Sequence, residues 1–165
     1  MKHKSVRRLS FIADENFSTR LVEILRIFSG PGAGISITSV EAEFGKGTRD
    51  EDWLLRLSER TPRPAVLGGD GRILSNPARL EALKVARVHF FLFAKGYTNL
   101  EWREQVIKTL TLWGKICKLA DKHRDPTLFN VKTGKSMNVD ILGPLADYEC
   151  HQITKRTMPG QERIA

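Results

Sequence analysis

Cysteine is scarce in this chain. Cys117 and Cys150 are the two it carries, and neither belongs to a CxxC pair. A disulfide framework and a cysteine-based zinc site are therefore excluded as organising devices. The histidines His3, His89, His123 and His151 are scattered, so they form no local ligand set. Long apolar runs are missing as well. The most apolar segment, residues 88–93, is far too short to cross a bilayer. The basic start MKHKSVRR leads into an apolar stretch that ends at Asp14, too short for a signal-peptide core. No internal repeat and no break in composition marks a second domain. The expectation is a cytoplasmic protein with reduced thiols.

A chain of 165 residues is long enough to bury a core of its own as one domain. Its 27 Lys and Arg against 19 Asp and Glu give a formal charge of +8. That balance favours an anionic partner: nucleic acid first, an acidic protein second, anionic lipid third.

The apolar pattern alternates between strand and helix. Residues 9–13 form a short apolar run ending at Asp14. Residues 18–28 place Leu21, Leu25 and Phe28 on one helical face. The glycine-rich segment 30–34 ends that helix, and the β-branched run 35–40 predicts a second strand. Thr48 and Glu51 have the spacing of a capping box ahead of a helix through Trp53 and Leu57. Residues 65–68 predict a third strand, 77–86 a helix, 88–93 a buried central strand and 100–122 a long amphipathic helix whose apolar face includes Trp102 and Trp113. Residues 128–132 and 137–142 flank Thr133-Gly134-Lys135 as a hairpin. The alternation argues for a three-layer α/β/α domain over residues 9–142, with a mainly parallel sheet of about four strands and a C-terminal hairpin. A basic segment, 1–8, precedes it and a basic, flexible tail, 143–165, follows.

Three acids fall where strands end or helices begin: Asp14 in FIADENF, Asp50 in GTRDEDW and Asp70 in VLGGDGR. In a parallel α/β sheet, sites form beyond the carboxyl ends of the strands, so this order brings all three to one edge. Carboxylates gathered there suit Mg²⁺ or Mn²⁺, and on a basic chain they point to cleavage of a polyanion. Each acid also has a purely structural reading. Asp14 suits an Asx turn, Asp50 and Glu51 suit a helix N-terminus, and Asp-Gly at 70–71 suits a hairpin turn. Arg72 lies beside Asp70. Lys108, Lys115, Lys118 and Lys122 form a basic stripe on the long helix, able to follow RNA phosphates or simply to face solvent. Trp53, Trp102 and Trp113 fall at packing positions. His89 reads as a core histidine and Cys117 as a small hydrophobe.

FIADENF, then GTRDEDW, then VLGGDGRIL, then the FFLF strand, resemble the PIN-like nucleases, most closely the compact toxins related to VapC. The resemblance covers residues 9–120. It implies that Asp14, Asp50 and Asp70 are catalytic and hold Mg²⁺ or Mn²⁺, with Glu15, Asn16 and Glu51 in support. Glu41 and Glu43 are the nearest candidates for a fourth acid. It implies an endoribonuclease acting on single-stranded RNA or tRNA, the toxin of a toxin–antitoxin pair with a cognate antitoxin, and a homodimer. The family usually has Ser or Thr where this chain has Gly68. Two other readings stand beside it. One is a catalytically silent module binding nucleic acid or antitoxin. The other is a receiver-type signalling domain using Asp14, Glu15, Asp70 and Lys95, against which the position of Lys95 argues.

Overall fold

The structure, a computed structural model, describes residues 8–150. The rest of the basic segment 1–8 and the end of the tail, with His3 and His151, lie outside the described residues. The elements run β1 (Leu9–Ala13), α1 (Thr19–Ser29), β2 (Ile35–Ser39), α2 (Val40–Phe44), α3 (Asp50–Ser58), β3 (Ala65–Gly68), α4 (Arg72–Ser75), α5 (Pro77–Ala86), β4 (Phe90–Phe93), α6 (Trp102–Lys122), β5 (Thr127–Lys132) and β6 (Asn138–Pro144).

The sheet has six strands, not about four, in the order β2-β1-β3-β4-β5-β6. The first five are parallel, and β6 runs antiparallel to β5. The expected hairpin exists, but it is part of the sheet. Its first strand pairs with β4 from Phe90↔Leu128 to Phe93↔Val131. Leu128, Phe129 and Val131 are buried, which a free-standing hairpin could not achieve. The ordered fold also runs past residue 142, because Leu145 and Tyr148 join the core.

Period-two alternation divides the strands between two cores. Phe11, Leu67, Phe91 and Phe129 face α1 and α6, where Trp113 lies 4.8 Å from Phe11 between ring centroids. Phe91 and Phe129 stack at 4.4 Å. Ile12, Val66, Phe90 and Leu128 face α3 and α5, against Trp53, Leu57 and Leu83. Burial of this kind contributes roughly 1.5–3 kcal/mol for each large apolar side chain. Burial also pushes the Cys117 thiol up to about 12, as expected of a packing residue. No helix among the described residues is long and apolar enough to cross a membrane.

Several local expectations are corrected. Thr48 does not cap α3. Its hydroxyl donates back to Phe44 O and Gly45 O at the end of α2, and Arg49 takes the N-cap position without a side-chain bond. Phe28 is 57% exposed and Trp102 39% exposed; each stands at a helix end. The Asp-Gly at 70–71 makes no hairpin. Asp70 Oδ1 accepts the Arg72 N–H at 2.9 Å, and the chain turns into α4. His89 is part-buried at the sheet's edge, not in the core: Nδ1 accepts from Thr127 N at 3.1 Å, so Nε2 donates to His123 O at 2.9 Å.

Gly68 has a packing reason. A Cβ there would lie 2.3 Å from Phe90 Cζ. The phenyl ring fills the space that a hydroxyl-bearing side chain would need. Gly68→Ser should therefore cost about 1–3 kcal/mol in urea unfolding through overpacking. Combined with Phe90→Val, it should cost less than the sum of the two single changes. Additive costs would contradict the contact.

Candidate active site

The strand order creates a switch point. From β1 the chain passes to β2 on one side, and β3 then returns to the other side of β1. Crevices form beyond the carboxyl ends of strands at such a point. Asp14 follows β1, Asp70 follows β3, and Asp50 opens α3, the helix leading into β3. All three line one cavity of about 240 Å³, together with Glu15, Asn16, Arg72, Ile73 and Arg79.

Asp14 is 8% exposed. Its Oδ1 accepts the Asn16 N–H at 2.9 Å, which is the Asx turn, and its Oδ2 accepts the Gly69 N–H at 3.0 Å. One carboxylate thus fixes its own turn and ties the exit of β1 to the exit of β3. Gly69 is required for that approach, because a Cβ on it would meet Asn16 Cβ at 2.8 Å. Desolvation by burial raises the Asp14 carboxyl to about 6; the Gly69, Asn16 backbone and Asn16 side-chain bonds oppose the rise, and the charge of Asp50 adds to it. Glu15 is drawn sideways: its Oε1 accepts the Gly47 N–H at 2.6 Å, holding the loop between α2 and α3 against this edge.

The other two acids are held by arginines. Asp70 takes Arg72 Nε at 2.7 Å and Arg72 Nη2 at 2.6 Å, and the hydrogen bond from Arg72 holds its carboxyl below the usual range. Asp50 accepts Trp53 Nε1 at 3.2 Å and lies 3.3 Å from Arg79 Nε. That nitrogen is close enough to pair in charge but is not aligned for a hydrogen bond. The sequence reading missed Arg79. It sits in the first turn of α5, and its relevance depends on α5 packing against α3, which helical periodicity alone does not reveal.

Other candidates lie elsewhere. Glu41 and Glu43 are on α2, where Glu43 pairs with Arg60. Glu51 lies 3.8 Å from Arg49, and none of these three acids lines the cavity. Lys108 and Lys115 bond to Thr133 O and Asn138 Oδ1, bracing the β5–β6 hairpin. Neither they nor Lys118 and Lys122 reach the acidic cavity. A neighbouring hollow of about 360 Å³ shares Asp70 and Arg72 and adds Lys95.

The donor chemistry suits a hard cation. Carboxylate oxygens face one polar cavity, and Mg²⁺ commonly takes one or two carboxylates, with water and substrate oxygens completing its shell. A three-acid ring around one ion is not what these residues form. Among the described residues, no three His, Cys, Asp or Glu side chains stand close enough to share an ion.

An α/β domain with a mostly parallel sheet and acids at its switch point defines the class. A family model described as a PIN like domain matches residues 9–95, just over half of the chain, so the chain belongs to the PIN like domain family. This is a nuclease-type fold, which sets the receiver-type reading aside. No curated protein and no solved structure matches the chain.

The raised Asp14 carboxyl has a consequence for stability. Folded protein holds this proton more tightly than the unfolded chain does. The contribution is full below about pH 4 and is lost as pH rises through about 6. Between those limits, wild type should lose about 3 kcal/mol relative to Asp14→Asn. Urea unfolding of both proteins across that range checks this, and parallel stability curves would contradict it.

Proposed function

We propose that this chain is a metal-dependent endoribonuclease that hydrolyses RNA phosphodiester bonds at the cavity lined by Asp14, Asp50 and Asp70. The observation that carries the reading is the convergence of three sequence-distant aspartates on one polar cavity at the switch point of a PIN like domain. Asp14, with Asp50 or Asp70, would hold Mg²⁺ or Mn²⁺. When bound, such a cation supplies Lewis acidity to the scissile phosphate and lowers the pKa of an attacking water.

The chain's own residues do the rest. Asp14 is rigid, fixed by Gly69 and Asn16, and gives the site an anchor that does not reorganise. Arg72 and Arg79 neutralise Asp70 and Asp50. An incoming phosphodiester competes for the same guanidinium groups, because their forks match phosphate oxygens. With the arginines turned to phosphate, Asp50 and Asp70 would be free to hold a cation beside Asp14. Lys95, beyond Asp70, extends the positive lining along the same edge.

The finer reading, a toxin paired with an antitoxin and acting on single-stranded RNA or tRNA, rests on the resemblance to VapC-related proteins. Exposed Ile27 and Phe28 near the end of α1 support apolar association in a homodimer. A second reading is a silent PIN-like module that binds nucleic acid or antitoxin without cutting. The arginine-paired acids and Gly68 favour it.

Purified protein should cleave mixed single-stranded RNA or total tRNA with Mg²⁺ or Mn²⁺ and not with EDTA. Asp14→Asn, Asp50→Asn and Asp70→Asn should each lower the rate at least about 100-fold, the order of removing a major electrostatic group from an active site, while circular dichroism stays unchanged. Folded protein that binds RNA but cuts none under any condition would favour the silent module. Cleavage surviving all three substitutions would overturn both the site and its mechanism.

A further inference from the structure

The opposite edge of the sheet carries a second charged cavity, and its architecture is regular. Arg8 precedes β1, Arg63 precedes β3, Arg87 precedes β4 and Arg124 precedes β5. These four strands are consecutive neighbours and all parallel. Their amino ends therefore lie side by side, and each brings an arginine to the same rim. All four line one cavity of about 240 Å³, with Ser10 and His89.

Of the described arginines without a carboxylate partner, four stand together at this cavity. Arg26, Arg49, Arg60, Arg72 and Arg79 each face a carboxylate partner. Among the described residues, none of Arg8, Arg63, Arg87 or Arg124 is ion-paired. Asp125 borders an adjoining hollow with Arg87 and Lys84 but pairs with neither. Guanidinium groups do not lose their charge at accessible pH, so four around one cavity repel one another until an anion enters.

The scaffold beneath them is fixed. His89, just before β4, accepts from Thr127 N of β5 and donates to His123 O at the end of α6. Arg87 ends α5 in the left-handed region, at φ 52. That conformation is uncommon outside glycine and asparagine, yet the position carries a cation facing this cavity.

We propose that the amino edge of the sheet is a phosphate-binding site, formed by Arg8, Arg63, Arg87 and Arg124 and separate from the acidic cavity. The planar forks of arginine match phosphate oxygens two at a time. The phosphate is carried either by an RNA backbone or by a free nucleotide. Strands of four or five residues at about 3.3 Å each hold the two edges roughly 15 Å apart. A phosphate bound here lies away from the acidic cavity, and the four arginines hold it whether or not that cavity cuts RNA.

The test uses Arg63→Gln/Arg124→Gln, which leaves the left-handed Arg87 untouched. Arg124→Gln alone, on an exposed residue, is the milder variant should the double change impair folding. Pyrophosphate binding is measured by calorimetry. Binding of a labelled single-stranded RNA is measured by anisotropy in EDTA over a series of salt concentrations. Pyrophosphate affinity should fall about tenfold or more in the double variant. If RNA supplies the phosphate, the salt slope of RNA binding should also shrink by about 1.4, the share of two single-strand contacts. A loss for pyrophosphate with RNA binding unchanged assigns the site to a free nucleotide. Wild-type binding of both ligands by the folded variant would overturn the proposal. So would loss of pyrophosphate binding in Arg72→Gln but not in the double variant.

Discussion

The interaction on which the rest depends is the hydrogen bond from the Gly69 N–H to the buried Asp14 carboxylate. It joins the carboxyl ends of β1 and β3 where the sheet changes direction. Burying a carboxylate is costly unless polar partners offset the loss of water. Here two backbone N–H groups and the Asn16 amide offset part of it, and the proton affinity that remains reports the rest. A residue needed only for the turn could be exchanged for Asn or Ser without that cost. The fold retains the charged group at its switch point, facing a polar cavity, which is where a cation would relieve it.

The charges of this protein are sorted by edge. At the carboxyl edge, Asp14 is buried, and arginines neutralise Asp70 and Asp50. At the amino edge, arginines stand before four adjacent strands, with no such partner among the described residues. One geometrical fact lies behind both patterns. Parallel strands start on one edge and finish on the other, so residues just before them and just after them gather at opposite sides of the sheet.

Much of the fold was legible because short apolar runs bounded by Gly, Pro or Asp resist other readings. Residues 65–68 and 77–86 are a strand and a helix as expected. Helices α2 and α4 escaped notice because one turn is too short to show periodicity. The size of the sheet escaped because pairing is a property of topology: nothing in residues 127–132 states that they will lie beside β4. The aspartates could be read as a set from their order along the chain, and they do border one cavity. Their arginine partners could not, since Asp50 meets Arg79 only through the packing of α3 on α5. Gly68 was visible as a departure, but its cause, the ring of Phe90, required the sheet register. The arginines at 8, 63, 87 and 124 became a group only once the strand order was known.

The proposed nuclease site would take a divalent cation on Asp14. The most direct measurement is anomalous diffraction from crystals grown with Mn²⁺. The account predicts a manganese peak in the cavity, bonded to a carboxylate oxygen of Asp14 and to at least one of Asp50 and Asp70, with the paired arginine turned away. Full-occupancy crystals with no peak there, and with Arg72 and Arg79 still on their aspartates, would contradict it.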